Sequence, residues 1–95
     1  MPARRLTDFQ IRCEGRLSDA LQRDGKSITG RKLDGQSQTY ITGGVAGSDL
    51  QFWIYEDGAD FKSSRSSSVF EKPDFDSLDA LAEAFTASIV KAVKP

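Results

Sequence analysis

The sequence predicts an α+β domain: a four-stranded antiparallel β-meander flanked by an N-terminal and a C-terminal helix, in the order α-β-β-β-β-α and two layers thick. Three observations predict it. Residues 77–93 place Leu78, Leu81, Ala82, Phe85, Ile89, Ala92 and Val93 at helical spacing, a stripe roughly 120° wide. Residues 7–24 carry a second helical pattern with signals at both ends. Between them stand two Asp-Gly pairs, Asp34-Gly35 and Asp57-Gly58, each bounded by β-branched and aromatic residues; Asp-Gly in that setting signals a two-residue type I′ hairpin turn.

Taken in order, residues 1–6 are expected to fray. Thr7 with Gln10 three positions on forms a capping box for the first helix, and Gly25 suits the position just past its end. Leu6, Phe9, Cys13, Leu17, Ala20 and Leu21 form its apolar side. Phe9, Ile11 and Cys13 also alternate as a strand would, so a short strand over residues 8–14 is the competing reading. Residues 26–71 make the meander. Counting back from Asp34-Gly35 sets Ile28 opposite Ile41 and Thr29 opposite Tyr40. A loop at residues 43–48 then brings Ile41 across from Leu50. About Asp57-Gly58, Ile54 faces Phe61, Tyr55 faces Asp60 and Trp53 faces Lys62. These pairings gather the aliphatic residues on one face and Tyr40, Trp53 and Tyr55 on the other. Residues 62–68 are serine-rich and patternless; residues 68–71 either extend the fourth strand past a bulge or form a short strand of their own. Pro73 stops it. Asp76 or Ser77 caps the last helix.

Ninety-five residues make one domain, 1–95. The apolar share of 38% is that of an ordinary globule and excludes a disordered tail. A net charge of −1 argues against general nucleic-acid binding. The charge is uneven, with residues 1–35 basic and residues 36–95 acidic. One cysteine, Cys13, excludes an internal disulfide and fits a reducing compartment. With neither a leader nor a spanning segment in sight, the expected location is cytoplasmic.

Chemistry finds little support. There is no histidine, so triads, the commonest metal ligand and the commonest general base are all missing. Cys13 lies in the apolar stripe and reads as an inert thiol. Asp74, Asp76 and Asp79 lack the glycine and the glutamate of a calcium loop, and Gly43-Gly44 with Gly47 lacks the ending of a phosphate loop. No catalytic residue, metal or cofactor is expected. Three surfaces remain. The first is the aromatic face, Tyr40, Trp53 and Tyr55, with Lys62 able to lie over the indole. These rings are open if both helices cover the aliphatic face, and plain core if one helix packs on each. The second is a basic stripe on the first helix, Arg5, Arg12, Arg16 and Arg23; its competing reading is a solvated face in which Asp8–Arg12 and Asp19–Arg23 pair internally. The third is the small-residue back of the last helix, Ala80, Ala84, Ala87 and Val90.

The residues thus point to a small non-enzymatic protein-binding module of inhibitor, immunity or regulatory type, using the aromatic face or a sheet edge. Its expected partner is another protein, with self-association in view and no membrane. The alternative is a small-ligand or nucleotide binder, with nucleic-acid binding through the basic helix ranked below it.

Overall fold

The computed structural model describes residues 5–36 and 38–94. Its elements are α1 (Asp8–Arg23), β1 (Ile28–Asp34), β2 (Tyr40–Val45), β3 (Gln51–Ile54), β4 (Gly58–Lys62), β5 (Ser67–Glu71) and α2 (Leu78–Ala92), with a 3-10 turn at Lys72–Asp74. The domain is α+β, and its antiparallel sheet has five strands in sequential order rather than four.

Residues 8–14 are helix, not strand. The capping box forms as the Thr7 and Gln10 spacing requires: Gln10 N–H donates to Thr7 Oγ1 at 3.2 Å and Thr7 N–H donates to Gln10 Oε1 at 2.8 Å. Gly25 follows the helix at φ +74°. Most of the expected fraying at residues 1–6 lies outside the described residues, but Leu6 packs against the core. Ser77, not Asp76, caps α2, its hydroxyl accepting from Ala80 N–H at 3.0 Å.

The strand registers differ from those counted on the Asp-Gly pairs. In β3–β4, Ile54 faces Ala59, Trp53 faces Asp60, Phe52 faces Phe61 and Gln51 faces Lys62. The turn is centred on Glu56 and Asp57, closed by Tyr55 N–H donating to the Gly58 carbonyl at 2.8 Å. A type I′ turn needs positive φ at both central residues, and neither Asp57 nor Gly58 has it. Gly58 instead opens β4, where a Cβ would stand 2.9 Å from the Phe70 carbonyl oxygen. The glycine serves close approach to β5.

Between β2 and β3, Ile41 faces Ile54 rather than Leu50. The expected loop at residues 43–48 is shorter, because Gly43, Gly44 and Val45 belong to β2. Gly43 lies under the Phe52 ring, which a Cβ would meet at 3.1 Å. Between β1 and β2, Ile28 faces Val45 and Thr29 faces Gly44, not Ile41 and Tyr40. Asp34-Gly35 does not make a two-residue turn; Asp34 faces Tyr40. A bulge between Thr29 and Lys32, with Gly30 at φ +61°, inserts one extra residue. That insertion returns Leu33, opposite Ile41, to the same side as Ile28. The β2–β3 and β3–β4 slips are even-numbered, so every expected face assignment survives them.

Residues 67–71 form a strand of their own, pairing Gly58 with Glu71 through Lys62 with Ser67. The serine-rich stretch before it is a tight turn. Ser63 N–H donates to the Ser66 carbonyl at 2.8 Å, while Ser63 Oγ accepts from the N–H groups of Arg65 and Ser66.

The core is one cluster. Phe9, Cys13, Leu17 and Leu21 of α1 and Leu81, Ala82, Phe85 and Ile89 of α2 meet Ile41, Val45, Phe52, Ile54, Ala59 and Phe61 of the sheet. The two helices pack against each other, α1 over β2 and β3, α2 over β4 and β5. Phe85 meets Phe52 and Phe70 edge-on. All these strand residues belong to one face.

Candidate functional site

The face turned away from the helices carries a row that crosses all five strands: Lys32, Thr42, Trp53, Asp60 and Val69. Strand alternation alone puts them together. Tyr40 and Tyr55 lie beside that row with ring centroids 5.3 Å apart and planes tilted by 52°. Trp53, Tyr40 and Tyr55 are each half-buried, and Val69 at the sheet edge is 66% exposed. Thr42 is buried on this face; its hydroxyl donates to the Phe52 carbonyl at 2.9 Å and accepts from Gln51 Nε2 at 3.3 Å.

Asp60 stands out within the row. Its Oδ1 is buried and makes no hydrogen bond. Burial pushes its carboxyl above the usual carboxylate range, because loss of water disfavours the charged form. The Tyr55 phenol is raised as well, first by burial, then by the charge of Asp60 and by Tyr40. The patch therefore pairs aromatic surface with a carboxylate one of whose oxygens lacks a donor.

Tyr40, Trp53 and Tyr55 are brought together as the sequence anticipated. Lys62 is shifted by one position on the same face: it faces Gln51, and Asp60 takes the place across from Trp53. Lys62 and Trp53 share an open depression with Asp49, Gln51, Ser63 and Ser64. Val69 and Asp60 escape the sequence reading for different reasons. Val69 has no alternating neighbours to fix which face it joins, and Asp60, expected opposite Tyr55, carries no local sign that its buried oxygen lacks a donor.

Three members of the basic stripe, Arg12, Arg16 and Arg23, lie on the side of α1 that borders α2, and Arg5 lies off the helix. Arg12 pairs with Asp79 of α2 at 3.5 Å, not with Asp8. Arg31 of β1 makes a two-point contact with Glu14 of α1, at 2.7 and 3.0 Å, which raises the already high pKa of its guanidinium. Among the described residues the remaining ion pair is Lys32–Asp34, so Asp19–Arg23 does not form. Arg16 and Arg23 line a groove between the helices with Asp19, Glu83, Thr86 and Ala87; Arg5 precedes α1 and is exposed. Arg12, Arg16 and Arg23 belong to the helical layer, and the rings to the sheet's opposite face. Base stacking on these rings and phosphate binding by those arginines cannot act on one nucleotide.

Cys13 is fully buried, and burial pushes its thiol up to about 12. Among the described residues no helix is long and apolar enough to cross a membrane. No protein-family model matches the chain, and no curated protein or solved structure matches it either.

Proposed function

We propose that this domain is a small protein-binding module of inhibitor, immunity or regulatory type, docking a partner protein on the helix-free face of its sheet. The reading rests on one observation: Tyr40, Trp53 and Tyr55 converge beside the Asp60 oxygen that lacks a donor, on a face that no element among the described residues covers. Tyrosine and tryptophan dominate interface hot spots because they bury much area at little conformational cost. A carboxylate among rings favours a partner that presents an arginine or lysine, which Asp60 pairs and the aromatic faces hold by cation–π attraction. Lys62 sits at the margin. The buried lone thiol fits a reducing compartment such as the cytoplasm.

The test is variant-dependent capture. Wild-type chain on a support retains its partner from a lysate of the source cells, and the Trp53→Ala/Tyr55→Ala chain, shown to be folded by circular dichroism, does not. Asp60→Asn weakens retention. Equal retention by wild type and the double variant rejects this face.

A further inference from the structure

We propose that the free edge of β5 pairs antiparallel with the β5 edge of a second copy of this chain, centred on Val69, joining the two sheets into one.

The backbone pattern specifies which groups are free. Ser63 N–H to Ser66 carbonyl, at 2.8 Å, makes residues 63 and 66 a hydrogen-bonded pair. Antiparallel pairs alternate from there, so Ser68 opposite Phe61 and Phe70 opposite Ala59 turn their N–H and C=O toward β4. Ser67, Val69 and Glu71 turn theirs outward. All three are exposed, and among the described residues their outward groups have no partner outside the ladder.

The two sheet edges differ. β1 carries the bulge, Arg31 and Lys32, features that discourage edge pairing. β5 has an unbroken ladder, no proline, no lysine or arginine, and Glu71 as its sole charge. One edge is guarded and the other is not.

Self-complementarity identifies the occupant. With Val69 opposite Val69, Ser67 of each copy faces Glu71 of the other. Every outward N–H and C=O of the three residues then finds a partner, and no like charges meet. Each Glu71 comes to the end of the paired strands where the second copy's Arg65 sits in the turn just before Ser67, so a long side chain can bridge the two. Arg65, in the turn before β5, makes no ion pair in its own chain among the described residues. Slipping the pair by two residues strands outward groups at the ends. The continuous sheet presents both aromatic faces on the same side.

Sedimentation equilibrium on the full chain tests this. The expected mass is twice the chain's 10.4 kDa. Val69→Pro removes an N–H that points away from β4, so the internal ladder persists, and the expected product is a folded monomer. Glu71→Arg weakens association at least tenfold by setting two arginines together, and adding Arg65→Glu restores it. Hydrogen exchange at the Val69 and Glu71 amides slows as protein concentration rises. The proposal fails if wild type stays monomeric up to about 1 mM, or if a dimer forms that Val69→Pro leaves intact. A dimer lost in Trp53→Ala/Tyr55→Ala but kept in Val69→Pro overturns it in favour of the aromatic face.

Discussion

A single amide ties the start of α1 to β3 and to the residue just before β2. Gln10 closes the capping box with its Oε1, and its Nε2 donates to the carbonyls of Thr39 at 2.8 Å and Ile54 at 3.2 Å. The residue is fully buried. Gln10→Ala removes the cap and both of these bonds, at an expected cost of about 1–3 kcal/mol in urea unfolding. A loss under half that would mean water replaces the amide. The cap was legible because Thr7 and Gln10 are neighbours in sequence. The strand contacts were not, because Ile54 arrives by tertiary folding. Asp60 gives a prediction with a sign. Its carboxyl is raised by burial, so the folded state binds a proton more readily than the unfolded one, and ionisation costs stability. That cost grows as pH rises from the usual 3.8 through the higher folded value, and it persists above. Asp60→Asn should therefore raise Tm at pH 7, with the gap closing below about pH 4. Asp49, lowered by hydrogen bonds from Ser64, behaves oppositely: Asp49→Asn lowers Tm at neutral pH, and that gap also closes in acid. Melts across pH separate the two, and a pH-independent gap for Asp60→Asn would reject the burial argument.

Among the elements, helices were readable from sequence and strand pairings only in part. The apolar side read for α1 supplies Phe9, Cys13, Leu17 and Leu21 to the core, and that of α2 supplies Leu81, Ala82, Phe85 and Ile89. Helical period is a local property, and a long amphipathic segment repeats it several times. β2 could not be read to its end because glycine there looks like a loop, whereas Gly43 is a strand position that makes room for Phe52. The short strand offered for residues 68–71 could not be told from an extension of the fourth strand, because serine and one valine carry no alternation; the structure makes it β5. Two glycines test this contrast. Gly15 in α1 has nothing within 4 Å of an added Cβ, so Gly15→Ala should stabilise by about 1 kcal/mol through helix propensity. Gly43→Ala meets the Phe52 ring at 3.1 Å and should destabilise by about 1–3 kcal/mol through overpacking. Denaturant midpoints measured side by side check both, and equal shifts of one sign would refute the distinction.

For the whole molecule, the decisive feature is that both helices lie over the same face. Packed side by side against Phe52, Phe61 and Ile41, they leave the opposite face to Tyr40, Trp53 and Tyr55. Trp53 should therefore show fluorescence of a partly hydrated indole, quenched by acrylamide more readily than a core tryptophan, with a blue shift when a partner docks. A fully blue-shifted, quencher-resistant emission from dilute chain would mean that the rings are covered without a partner. The sequence alone determined two helices, the cap of the first, and which side chains of β2, β3 and β4 share a sheet face. Those follow from short-range periodicities that even-numbered register slips leave untouched. Tertiary structure alone decided the fifth strand, the pairings and the layer both helices joined. These depend on contacts between residues far apart in the chain, where packing chooses among turns that local propensity leaves nearly equal.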